Sequence, residues 1–149
     1  MISEELQNKY RKYLAKQGKL YTRERESILQ SAFAREDHFS ADDLYFHMRQ
    51  EGVDVSRATL YRNLKQMAEA GLLIEADFGH GHTHYERAIE GATHEHLVCK
   101  KCGGVTEVRM PEFGEMVRLA AASQNFLIDH YQIQIMGLCS ACQKTDATC

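Results

Sequence analysis

The sequence predicts an α/β (α+β) protein of two units: an N-terminal winged helix-turn-helix over residues 1–83 and a C-terminal α/β metal-binding and dimerisation unit over residues 84–149. Three observations predict it. Two well-capped amphipathic helices are separated only by "VDV", Val53 to Val55, after Gly52. Two strand-like runs, "LLIEADF" and "HTHYERA", follow them and are split by "GHG", which reads as a hairpin. Two Cys-x-x-Cys pairs, with 36 residues between them, then lie in the second half of the chain.

Each N-terminal element has its own start and stop. Ser3 caps a helix with apolar positions Leu6, Tyr10 and Leu14, and Gly18 ends it. Thr22 caps a second helix carrying Ile28, Leu29, Ala32 and Phe33. Ser40 with Asp43 forms a capping box at the head of "SADDLYFHMRQEG", whose core positions are Leu44 and Met48. Ser56 caps "SRATLYRNLKQMAEAG", with Leu60, Leu64 and Met67 on one stripe and Gly71 as the stop.

That last helix is the candidate recognition helix. Arg57, Tyr61, Arg62 and Lys65 make a basic face with an aromatic in its middle. Arginine suits phosphates and the guanine edge, and a tyrosine ring packs on a thymine methyl while its hydroxyl reaches phosphate. The bland alternative is a solvated helix face with one surface tyrosine.

In the second half, "HEHLVCKKCGGVTEVRM" reads as a strand from His96 to Cys99, a turn over Lys100–Gly104 and a strand from Val105 to Met110. Pro111 opens a helix that runs to about Gln124. "FLIDHYQIQIMGLC" then alternates, with Tyr131, Ile133 and Ile135 on one face of a third strand. Such a small sheet has exposed edges that a second copy of the chain is able to cover.

Cys99, Cys102, Cys139 and Cys142 are read as the four ligands of one tetrahedral, structural Zn(II), whose binding energy would add directly to folding. A thioredoxin-like redox pair is the competitor, but it needs a Cys-x-x-Cys at a helix N-terminus, and neither pair is expected there. Cys149, at the chain end, is left out of the site. His38, Glu86, His94, His96 and Glu107 offer three imidazoles and two carboxylates, a mixed set suited to Fe(II), Mn(II), Co(II) or Zn(II) rather than copper(I). Read singly, each of these histidines is an ordinary surface residue.

Composition narrows the field. The chain has 149 residues, 44% hydrophobic content and a net charge of −3. No apolar run approaches the ~20 residues of a membrane span, and the first residues carry no signal-peptide core, so the expectation is a cytoplasmic protein with no membrane partner. Residues 1–75 hold 12 Lys/Arg and 12 Asp/Glu, while residues 76–149 hold 6 and 9 together with six of the eight histidines. The two halves thus have different jobs. No nucleophile–base pair stands out, so neither an enzyme nor a small-molecule substrate is expected. A metal store or chaperone would not need the helix-turn-helix.

Taken together, "HFSADDLY", "SRATLYRNLKQMAEAGL", "HYE", "HEHLVCKKCGGVTEV" and "GLCSAC" make the chain similar, over about residues 18–143, to the ferric uptake regulator family of bacterial metal-dependent repressors. The resemblance implies a homodimer that binds a palindromic operator in double-stranded DNA when a regulatory divalent metal closes its DNA-binding domains. It implies structural Zn(II) on Cys99, Cys102, Cys139 and Cys142, and a regulatory site on His38, Glu86, His94, His96 and Glu107. Fe(II) or Mn(II) is the implied regulatory ion, with Zn(II) able to occupy the site in vitro. Tyr61 would contact bases, with Arg62 on phosphate and Thr59 and Lys65 beside them.

Glutamates at 86 and 107, where the peroxide-sensing branch uses aspartates, resemble the iron-responsive branch. The alternatives are a peroxide-sensing or a zinc-, nickel- or manganese-sensing member, or a redox switch acting through the cysteines. Three departures from the family pattern stand out. A further metal site common in the family aligns with Thr93, Glu95, Gly114 and Tyr131, which leaves it absent or rebuilt with His130. The minor-groove lysine of some members aligns with Leu20, with Lys19 adjacent as its substitute. The segment from Met1 to about Gln17 is longer than in some members. Finally, His80, His82 and His84 sit in the wing, either as a solvated hairpin or as an extra nickel or zinc patch.

Overall fold

The computed structural model describes residues 2–88, 95–128 and 130–146. Contacts divide the chain into two units, Met1–Glu90 and Gly91–Cys149. The boundary falls later than the expected 83/84 because the strand that completes the wing belongs with the first unit.

That unit runs α1 (Glu4–Lys16), α2 (Arg23–Phe33), β1 (Phe39–Ser40), α3 (Ala41–Gln50), α4 (Arg57–Glu69), β2 (Leu73–Asp77) and β3 (Thr83–Arg87). Every expected cap is made: Ser3, Thr22, Ser40 and Ser56 each accept a hydrogen bond from the backbone N–H three residues on. The turn between α3 and α4 closes with Gly52 at φ +78°, a left-handed geometry that lets the Val53 N–H reach the Met48 carbonyl at 2.9 Å. Tyr10, Leu14, Ile28, Leu29, Leu44, Met48, Leu60, Leu64 and Met67 then interlock with Phe39, Leu73 and Tyr85 from the sheet. The sheet order is β1-β3-β2, antiparallel throughout. The two-residue β1 was not apparent in the sequence, because it is too short to show alternation.

Ser40 and Asp43 make the reciprocal box, with the Asp43 N–H donating to Ser40 Oγ at 3.1 Å and the Ser40 N–H to Asp43 Oδ2 at 2.9 Å. The Ser40 hydroxyl also donates to Asp43 Oδ2 at 2.6 Å, and these two bonds hold the Asp43 carboxyl below its ordinary pKa. A depressed carboxyl stabilises the fold above its unfolded pKa of 3.8 and loses that contribution as pH falls through the folded value. Replacing Ser40 by Ala is expected to cost about 1 kcal/mol at neutral pH. Thermal melts at pH 7 and at pH 3 measure it, and the difference between variant and parent should shrink at the lower pH.

The second unit runs β4 (Glu95–Cys99), β5 (Val105–Val108), α5 (Pro111–Ser123), β6 (Gln134–Gly137) and α6 (Ser140–Asp146). β4 lies between β5, antiparallel, and β6, parallel. Two expectations change here. The third strand is only four residues long: β6 pairs with the stretch His96–Cys99, and the Ile133 carbonyl just before it accepts the His96 N–H at 3.0 Å. A short helix, α6, follows Cys139.

Among the described residues, the only buried hydrophobic ones in this unit are Val98 and Cys99. Met116, Leu119, Phe126, Leu127, Ile135 and Met136 are exposed, Leu127 by 93%. A unit with so little interior and so much open apolar surface is a surface made for burial.

Candidate metal centres and nucleic-acid interface

The parallel pairing of β6 with β4 sets Cys99 opposite Gly137, and the Lys100 N–H donates to the Gly137 carbonyl at 2.9 Å. That register brings the second cysteine pair to the first. One sulfur from each of Cys99, Cys102, Cys139 and Cys142 lies within 4.8 Å of the others, and Cys102 Sγ is 3.8 Å from Cys139 Sγ. A tetrahedral zinc with Zn–S bonds of about 2.3 Å requires sulfurs about 3.8 Å apart, so the set fits structural Zn(II).

Backbone N–H groups support the sulfurs. Cys139 N donates to Cys99 Sγ and Gly104 N to Cys102 Sγ, each at 3.4 Å. The backbone N–H groups of Cys102 and Cys139 favour the Cys99 thiolate and bring its pKa down to about 6. A hydrogen bond from the Cys142 thiol to the Cys139 sulfur, followed by desolvation, pushes Cys142 up to about 12, so loading the full set with metal displaces protons.

One expectation is corrected. Cys139 immediately precedes α6, so the second Cys-x-x-Cys does stand at a helix N-terminus. The redox reading gains little from this, because the four sulfurs converge as one cluster across 40 residues of chain rather than as two separate dithiols.

The expected regulatory ligands are distributed over both units. In the first, His38 stands just before β1, and its ring is 5.3 Å from that of His84 and 4.9 Å from that of Phe78. Glu86 lies on β3, two residues beyond His84 and on the same face; both are 8% exposed. Burial, followed by the rings of His38, His82 and His80, brings the His84 pKa down to about 4, so His84 is neutral at pH 7. In the second unit, His96 on β4 pairs directly with Glu107 on β5, which puts an imidazole and a carboxylate side by side on one sheet face. His94 lies outside the described residues, as does Thr93.

Of the remaining positions aligned with the family's further metal site, Glu95 is fully buried and accepts the Met110 N–H at 2.9 Å. Gly114 is buried against the Tyr131 hydroxyl, which a Cβ there would meet at 3.0 Å. Glu95 thus holds the backbone at the residue before α5, while the Tyr131 hydroxyl lies against α5 at Gly114. His130 is exposed.

On α4, Leu60, Asn63, Leu64 and Met67 face the core, while Tyr61, Arg62 and Lys65 are exposed, Tyr61 by 47%. Arg62 Nη2 donates to Thr59 Oγ1 at 3.4 Å. Lys19, Arg25, Thr59 and Arg62 line one depression, which places Lys19 beside α4. Arg57 behaves differently. Its guanidinium pairs with Asp42 and lies over the rings of Tyr45, at 4.6 Å, and Phe46, at 5.3 Å, so it clamps α4 onto α3.

Asn63 and Arg25, which position the helix, escaped the sequence reading. Asn63 Oδ1 accepts from Tyr10 Oη at 3.1 Å and from Arg25 Nη1 at 2.9 Å, which locks α4 to α1 and α2. The available signal was an asparagine that falls inside the apolar stripe, between Leu60 and Leu64.

A family model described as the ferric uptake regulator family matches residues 16–136. The ferric uptake regulation protein of Neisseria meningitidis is 39% identical over 108 residues, covering 72% of this chain and 74% of that protein. The peroxide-responsive repressor PerR of Staphylococcus aureus is 28% identical over 130 residues, covering 87% of this chain and 86% of that one. Among solved structures, the ferric uptake regulator of Pseudomonas aeruginosa with manganese aligns at a TM-score of 0.75 and 33% identity, covering 85% of this chain and 95% of that one.

Proposed function

This chain belongs to the ferric uptake regulator family of metal-responsive repressors, and from that premise we propose that it is a cytoplasmic, Fe(II)-dependent regulator of iron-uptake genes that binds a palindromic operator as a homodimer. His38, Glu86, His94, His96 and Glu107 are the proposed ligands of the regulatory ion. The observation that carries the reading is the donor chemistry. His96 and Glu107 are cross-strand neighbours, and Glu86 is a buried carboxylate on β3. Mixed nitrogen and oxygen donors suit Fe(II) and Mn(II) better than an all-sulfur or all-nitrogen set does.

When bound, the ion would supply a cross-link between ligands from both units. Each chain's α4 then presents Tyr61, Arg62 and Lys65 to the duplex, with Thr59 and Lys19 alongside. A dimer must hold its two recognition helices about one helical turn apart, or a multiple of it, to read two half-sites. The open apolar side chains of the second unit are the surface a second copy would cover.

The test is operator affinity titrated with Fe(II), Mn(II), Zn(II) and Ni(II) under anaerobic conditions at fixed salt, since phosphate contacts make affinity salt-dependent. Fe(II) should raise affinity most; equal binding with and without every metal would remove the sensing role. The peroxide-sensing alternative predicts that low peroxide abolishes operator binding only when the site holds Fe(II).

A further inference from the structure

The wing contains a histidine cluster that the regulatory reading does not use. β2 and β3 are joined by a loop in which Gly79 and Gly81 both take left-handed geometry, φ +78° and +77°. Those two glycines curl the loop so that the ring of His80 comes near those of His82, just before β3, and His84, on β3. One ring nitrogen from each of His80, His82 and His84 lies within 4.8 Å of the others. The ring centroids are 4.7 Å apart for His82 and His84, 5.8 Å for His80 and His84, and 6.0 Å for His80 and His82.

The nitrogens need explaining, because packing explains only the rings. His84 sits against Phe78 at 5.0 Å and is 8% exposed, yet neither of its ring nitrogens has a hydrogen-bond partner. His80 Nε2 is likewise buried without one. Orphaned buried polar atoms are costly, and a phenylalanine would fill the same space without that cost. His82 Nδ1 lies 3.1 Å from the His80 carbonyl oxygen; donating its proton there leaves the lone pair on Nε2.

We propose that His80, His82 and His84 form a divalent-ion site of their own in the wing, taking a borderline ion such as Ni(II) or Zn(II) through three imidazoles. Three neutral nitrogens with no carboxylate select this class over the harder Mn(II). Nitrogens bound at about 2.0–2.1 Å to one ion stand about 3.3 Å apart, and the exposed His82 and the half-buried His80 are free to adjust their rings to that spacing around His84. The fourth position stays open to water. Coordination would tie the loop between Phe78 and Thr83 to β3 and hold the wing tip in one conformation.

The experiment uses untagged full-length protein with zinc in its cysteine site, and Ni(II) as the probe. Bound nickel per chain is measured after equilibrium dialysis for the parent, His80→Ala/His82→Ala, His96→Ala/Glu107→Ala and the combined variant. The wing pair should lose about one equivalent relative to the parent. The His96→Ala/Glu107→Ala protein should keep about one equivalent, and the combined variant should keep none. Nickel uptake unaltered by the wing substitutions, in both backgrounds, would overturn the site. His84 is left intact because it is part of the wing's packing, and circular dichroism checks that each variant is folded. Fe(II)-dependent operator binding is scored separately, so a failure of the iron reading does not decide the nickel result.

Discussion

Replacing Cys102 by Ser is expected to lower zinc content from about one equivalent per chain to near none and to unfold the second unit. The reason lies in how little else holds that unit. Its described residues bury only Val98 and Cys99 among hydrophobics, and β6 pairs over four residues. Structural zinc contributes on the order of 10 kcal/mol of apparent binding energy in small modules. Loss of one of four sulfurs therefore removes more than this small interior is able to replace. Metal analysis by mass spectrometry, with circular dichroism on the same samples, measures both effects. Cys149→Ser is the control and should retain zinc, since that residue is not one of the four. A Cys102→Ser protein that kept its zinc and its fold would show that the cluster is not structural.

The second large effect falls on regulation. Glu107→Ala removes the carboxylate that pairs with His96 across β4 and β5 without touching the cysteines or α4. Shifting a two-state equilibrium from 1:99 to 99:1 takes about 5.5 kcal/mol of differential affinity. Removing one of five proposed ligands should leave too little, so the Fe(II)-dependent gain in operator affinity is expected to shrink by about 100-fold. Affinity without metal should stay the same, and so should the salt slope. Arg62→Ala has a different signature: weaker binding with and without metal, and a salt slope reduced by about 1 if that side chain neutralises a phosphate. Fluorescence anisotropy on one operator fragment, over a metal series and a salt series, separates the two. If Glu107→Ala left the iron response intact, the glutamate would not be a ligand.

Much of the fold was legible because the helices are specified locally. Ser3, Thr22, Ser40 and Ser56 each sit one residue before a helix, and each is observed as its cap. The apolar stripe Leu60, Leu64 and Met67 identified the buried side of α4, so its exposed side followed by elimination. Arg57 shows the limit of that reasoning. Its position on α4 is polar and solvent-facing, yet Asp42 and two rings on α3 hold it to the protein. A helical wheel carries no information about the neighbouring helix.

The sequence by itself determined the things that nearby residues decide: caps and stops, the hairpin, the turn after Cys99, and the presence of two cysteine pairs. Only the tertiary structure decided which distant groups meet. Parallel pairing of β6 with β4 brings Cys139 to Cys99, and Asn63 finds Tyr10 and Arg25 from two other helices. The two left-handed glycines of the wing gather His80, His82 and His84. The physical reason is the same in each case. Periodicity and capping act within a turn or two of the chain, whereas strand register and side-chain convergence depend on packing between segments far apart in it.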